Sequence, residues 1–159
     1  CGNWDPLHSD DPNSAKSRSG YVIMYHGCPI VWASRLQTVF ALSTAEAEYI
    51  ALSTALRDVI PMMDLLQELK DQGYDVVSTP TIKCKLFEDN SGAREQARVT
   101  KYRPRTRHIN SAWHHFQSYV AAGLIRILPI RTDWQLGDTF TKQVTREDFV
   151  QFRKLIFGW

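Results

Sequence analysis

Apolar and basic residues alternate along Ile82-Lys83-Cys84-Lys85-Leu86, with Phe87 closing the run, the period of two expected of a half-buried strand. Two earlier runs rich in β-branched and aromatic residues, Tyr21-Val22-Ile23-Met24-Tyr25 and Ile30-Val31-Trp32-Ala33-Ser34, are joined across His26-Gly27-Cys28-Pro29 and predict a hairpin. Ser43-Thr44-Ala45-Glu46 has the spacing of a capping box, so a helix should start there. It should run to about Ile60, where Pro61 kinks or ends it, and a helical continuation from Met62 to Lys70 should close at Gly73. A short helix is expected from Ser91 to Arg98, another from about Thr106 to Ala122, and a strand over Leu124–Ile130. A last helical region should start near Trp134, break around Val144 and resume from Arg146 to Phe157. The pattern predicts a mixed α/β domain, with antiparallel strands first and βα crossovers afterwards.

The 159 residues suit one domain, and 43% hydrophobic with 23% charged residues argue against disorder. No apolar run approaches the roughly 18 residues that span a bilayer, so no membrane partner is expected. The 3 cysteines, Cys1, Cys28 and Cys84, fit neither a disulfide framework nor a zinc site and point to a reducing, intracellular compartment. Net charge is only +2, yet Arg98, Lys101, Arg103, Arg105 and Arg107 crowd together with Tyr102 and no acid. A solvated loop is the plain explanation; clustered Arg and Lys beside an aromatic also mark a surface that tracks phosphates. His108 follows at a helix start, where it can touch phosphate or cap the helix. The chain opens on Cys1 rather than methionine, as a piece of a longer protein would.

Three carboxylates stand in distinctive settings. Asp89 falls where the strand ending at Phe87 turns into a helix, the rim where open α/β sheets place their chemistry. Asn90 and Ser91 can accept hydrogen bonds from the free N–H groups of that helix and join the basic residues as candidate nucleic-acid contacts. Glu48 precedes Leu52 and Ala55 on a helix face that packs on the sheet, whereas the capping box occupies Glu46. Asp138 follows Leu136-Gly137 at an expected helix start, where the dipole alone favours an acid. Carboxylates from a helix, a strand end and a later helix suit a two-metal phosphoryl-transfer site. His114 and His115 sit with Trp113 and Phe116 and are read as packing or capping residues; Trp4, Trp32 and Trp134 are read as core or edge packing, with base stacking the lesser alternative.

Ala41-Leu42-Ser43-Thr44-Ala45-Glu46-Ala47-Glu48-Tyr49-Ile50-Ala51-Leu52 resembles the helix motif of ribonuclease H domains in copia-type LTR retrotransposon Pol polyproteins. So do Ser17-Arg18-Ser19-Gly20-Tyr21-Val22, Pro29-Ile30-Val31-Trp32-Ala33-Ser34, Glu88-Asp89-Asn90-Ser91-Gly92-Ala93, Arg105-Thr106-Arg107-His108-Ile109 and Gln135-Leu136-Gly137-Asp138-Thr139-Phe140-Thr141-Lys142, in the family's order. The resemblance implies a ribonuclease H-like fold over residues 1–142, a mixed five-stranded sheet flanked by helices, and a C-terminal helical extension over 143–159. It implies hydrolysis of the RNA strand of RNA–DNA hybrids during reverse transcription, with Glu48, Asp89 and Asp138 catalytic and binding two Mg²⁺ ions, Mn²⁺ being an alternative. The implied partners are the hybrid and an upstream reverse transcriptase domain of the same polyprotein; the implied location is a cytoplasmic virus-like particle of the element. The family's first, central strand carries a further catalytic aspartate, which should fall just upstream of Cys1. This chain is therefore expected to be inactive and to leave facing edges at Tyr21–Tyr25 and Ile82–Phe87. The alternative is a non-catalytic nucleic-acid-binding relic of a retroelement polyprotein.

Overall fold

A computed structural model describes residues 16–98 and 114–159. β1 (Arg18–Tyr25) and β2 (Cys28–Leu36) form an antiparallel hairpin. His26 at φ 49 and Gly27 at φ 80 make the two-residue turn, and two left-handed residues in succession match the twist of the flanking strands. α1 (Thr44–Asp71) follows, then β3 (Cys84–Glu88), α2 (Ser91–Arg98), α3 (Gln117–Ala121) and β4 (Ile125–Pro129). Two 3₁₀ turns, Thr132–Trp134 and Leu136–Phe140, lead to α4 (Arg146–Phe157). β3 and β4 pair in parallel, with Cys84 opposite Ile125 and Glu88 opposite Pro129.

The capping box forms: Ser43 Oγ accepts from Glu46 N at 3.1 Å. Glu46 reaches one residue further back than the motif requires, accepting from Leu42 N at 2.9 Å. Pro61 neither ends nor divides the helix, which runs unbroken for 28 residues. One lost backbone bond is outweighed by the apolar residues buried on both sides of Pro61, Leu56 and Val59 before it and Met63 after it. Two further expectations are corrected. The helix expected over Thr106–Ala122 is helical only from Gln117 to Ala121 among its described residues. The region expected to turn helical near Trp134 is a pair of 3₁₀ turns.

α1 is the shared core element. Tyr49, Leu52, Leu56, Val59 and Met63 pack with Ala93, Ala97, Phe116, Ile125 and Ile127 beneath the parallel pair, while Ala55 packs with Tyr21 and Ala33 of the hairpin. Tyr21 also donates its hydroxyl to the Asp58 carboxylate, tying the hairpin to α1. The described strands do not build one five-stranded sheet: they form two separate pairs, β1–β2 and β3–β4. A cavity of about 930 Å³ lies between them, walled by Gly20–Met24 on one side and Cys84–Glu88 on the other, with Ala51, Leu52, Ala55 and Val59 also lining it. Five residues of strand on each wall make a slot about 17 Å long. α4 rests on β2 and the second 3₁₀ turn, with Phe152 and Ile156 buried.

Candidate active site

One end of the slot collects the acidic residues, and close backbone approaches hold it together. The turn Leu136–Phe140 lies directly on the start of β1. A Cβ on Gly20 would stand 2.5 Å from Thr141 Cγ2 and 2.8 Å from the Gly137 carbonyl oxygen, so no side chain fits there. Gln135 Nε2 donates to the Phe87 carbonyl at 3.3 Å, bridging from this turn to the end of β3. The start of β1 and the end of β3 therefore lie at the same end of the slot, and the two strands run antiparallel. On the far side, a Cβ on Gly92 would come within 3.0 Å of Ala45 Cβ, which seats the first turn of α2 against the first turn of α1. Asn90 caps α2, its Oδ1 accepting from Ala93 N at 3.1 Å.

These contacts bring Glu48 from α1, Asp89 from the residue after β3 and Asp138 from the 3₁₀ turn within electrostatic reach of one another. Burial raises the Asp138 carboxyl above its ordinary range; Lys142 opposes the rise, and Asp89 and Glu48 add to it. Lys142 Nζ sits 2.6 Å from Asp138 Oδ2, and Asp138 is only 14% exposed. Glu88, a residue to which the sequence pattern assigned no role, is a fourth acid here. It is buried, accepts from Asn90 N at 2.9 Å and has its carboxyl pushed up to about 8. Burial is the main cause; the Asn90 N–H works against it, while Glu48 and Asp89 raise it further. The missed signal was the strand period, which turns Glu88 to the inner face with Leu86. Arg94 was missed as well: its guanidinium donates to the carbonyls of Glu88 and Asp89, both at 2.8 Å, and fixes the turn from behind.

Carboxylate oxygens are the right donors for Mg²⁺. Their placement is not yet that of a metal site: among the described residues no three His, Cys, Asp or Glu side chains gather closely enough to hold an ion. Asp138 moreover already carries an ammonium. The residues present do not fit the two ions as they stand.

The expected nucleic-acid contacts divide. Arg98 Nη2 donates to the Ile127 carbonyl at 2.7 Å and so serves the fold. Asn90 spends its side-chain oxygen on the helix cap, and Ser91 is exposed. Lys101, Arg103, Arg105, Arg107 and His108 lie outside the described residues, as do Cys1 and Trp4. His114 serves packing: its Nδ1 meets the buried Tyr49 hydroxyl at 2.5 Å and Gln117 Nε2 at 3.1 Å, and burial lowers its basicity. Trp32, 56% exposed, meets Phe157 edge-on rather than entering a core. No helix among the described residues is long and apolar enough to cross a membrane.

Over 98% of its length the chain is 31% identical to the retrovirus-related Pol polyprotein from transposon TNT 1-94 of Nicotiana tabacum. It is 30% identical, over 98% of its length, to the corresponding polyproteins from transposons RE2 and RE1 of Arabidopsis thaliana. The chain spans 11% of the length of each of these relatives. No family model matches it, and no solved structure matches it.

Proposed function

We propose that this chain is the ribonuclease H domain of a retrotransposon Pol polyprotein, whose task is to hydrolyse the RNA strand of RNA–DNA hybrids. Relatives at about 30% identity over nearly the whole chain are retrotransposon Pol polyproteins, which supports the polyprotein setting. The observation that carries the reading is the gathering of Glu48, Asp89 and Asp138 at one end of the slot. A helix, a strand end and the turn after the last strand each deliver one carboxylate there. Backbone contacts hold two of them from behind: Arg94 donates to the Asp89 carbonyl, and the Asp138 carbonyl accepts from Lys142 N.

Two Mg²⁺ ions are the cofactor proposed for the domain. What its own residues do is narrower. α1, β3 and the 3₁₀ turn orient three acids toward one rim, and the basic run Lys101–Arg107 supplies cations for the backbones of a hybrid. Such binding would depend steeply on salt and little on sequence, with RNA told from DNA by its 2′-hydroxyls and groove shape.

The test is cleavage of a labelled RNA–DNA hybrid with Mg²⁺ by the parent and by Glu48→Gln, Asp89→Asn and Asp138→Asn. The parent should cut, and each variant should be slower by on the order of a thousandfold or more, since loss of a carboxylate removes several kcal/mol of transition-state stabilisation. Hybrid binding without cleavage by the parent would favour a non-catalytic relic, a reading to which the Lys142-bound Asp138 lends support. Variants that cut as fast as the parent would refute the site assignment.

A further inference from the structure

The face of the hairpin turned away from α1 carries an aromatic surface. Ala33 packs with Ala55 of α1, so its neighbour Trp32 points to the opposite side. The C-terminal end of α4 lies there, and Phe157 meets the Trp32 ring edge-on with centroids 6.5 Å apart. Trp159 continues the row, its ring tilted 38° to that of Phe157 at a centroid separation of 6.5 Å. Arg153 orders this last ring: its guanidinium lies over it, 5.1 Å from the centroid, and its Nε donates to the Trp159 carbonyl at 3.1 Å. The three rings stay open to solvent, with 56% of Trp32, 48% of Phe157 and 70% of Trp159 exposed. Cations flank them. Residues 149–159 include Arg153 and Lys154 and no acid. Arg18 Nη1 donates to Ser34 Oγ at 3.3 Å, and Ser34 lies two residues from Trp32 on the same strand face.

We propose that Trp32, Phe157 and Trp159 form a stacking platform for single-stranded nucleic acid, a site distinct in its residues from the acidic rim. Exposed rings interleaved with cations meet the two demands of an unpaired strand: a flat apolar surface for its bases and positive charge for its phosphates. Arg153 covers one side of the Trp159 indole and leaves the other for a base, so that guanidinium, indole and base form one stack. Charge complementarity selects this occupant. A second copy of the chain, docked through the same patch, would bring Arg18, Arg153 and Lys154 against their own equivalents. An uncharged apolar peptide would leave those charges uncompensated. The inference stands apart from the nuclease reading, because it requires neither a metal ion nor cleavage.

The test is fluorescence anisotropy of a labelled oligothymidylate of about a dozen nucleotides, titrated with the chain in chelator. Trp159→Leu removes the aromatic face and keeps apolar bulk, and should weaken binding roughly five- to hundredfold, the range for one stacked base. Trp159→Phe keeps a ring and should recover most of that loss. Lys154→Gln should flatten the slope of log affinity against log salt by about 0.7, the value for one phosphate of a single strand. Both positions are exposed, so thermal midpoints should not move. Binding by Trp159→Leu as tight as the parent's would overturn the proposal, as would a loss that Trp159→Phe does not recover. An unchanged salt slope in Lys154→Gln would place the strand elsewhere on the chain and refute it too. Self-association of the parent that Trp159→Leu abolishes, read by sedimentation, would assign the face to a second copy instead. No hybrid and no hydrolysis enter the readout, so this inference and the nuclease reading fail separately.

Discussion

Replacing Glu88 by Gln should abolish a pH-dependent loss of stability that the buried carboxyl imposes on this chain. The substitution keeps the shape and an oxygen for the Asn90 N–H, and removes only the proton equilibrium. In the folded chain the carboxyl is held up at about 8 against an ordinary 4.5, chiefly by burial, with Glu48 and Asp89 contributing. Between those two values the folded state keeps a proton that the unfolded state has released, so stability falls as pH rises through this window. Below 4.5 both states are protonated and the penalty vanishes; above 8 both are ionised and it is complete. The separation of 3.5 units between 4.5 and about 8 corresponds to at most about 5 kcal/mol at 1.36 kcal/mol per unit. Relaxation of the neighbouring carboxylates and entry of water into the slot should reduce that to a few kcal/mol. Urea unfolding in chelator, at pH steps spanning the window, measures it directly. Parent and variant should agree in acid, then separate, with Glu88→Gln the more stable by a few kcal/mol above about pH 8. Stability curves that stay parallel across the window would show that Glu88 ionises at an ordinary pH and that the rim is wetter than its burial implies.

Gly20→Ala should cost about 1–3 kcal/mol, because its Cβ would overlap Thr141 and the Gly137 carbonyl; an unshifted thermal midpoint would refute it. The basic residues should separate by role. Arg98→Gln should lower stability by about 1–2 kcal/mol by removing the bond to the Ile127 carbonyl. Lys101→Gln with Arg105→Gln should leave the melt alone and flatten the salt dependence of hybrid binding, the slope falling by about 1 for each phosphate these side chains neutralise.

Where a residue's fate depended on near neighbours in the chain, the sequence settled it. Ser43 and Glu46 define the start of α1, His26-Gly27 supplies the left-handed turn of the hairpin, and the α2 boundaries at Ser91 and Arg98 follow from Asn90 as cap and the residues after it. The position of Asp89 just past a strand was legible for the same reason: a period of two followed by a capping residue is a local signal. Tertiary structure decided what depends on partners far along the chain. α1 passes through Pro61 because residues on either side of it are buried against distant strands, a gain the local penalty cannot foresee. Asp138 sits on a 3₁₀ turn rather than a helix because the chain must lie flat against Gly20, where there is room for no Cβ. Glu88 and Lys142 looked ordinary in sequence. One acquired its shifted proton affinity and the other its partner only when α1, β3 and the turn met at one rim. Hydrogen bonding within a turn of helix is written in adjacent residues; burial and charge coupling are properties of the space the folded chain encloses, and there the chemistry of this slot was decided.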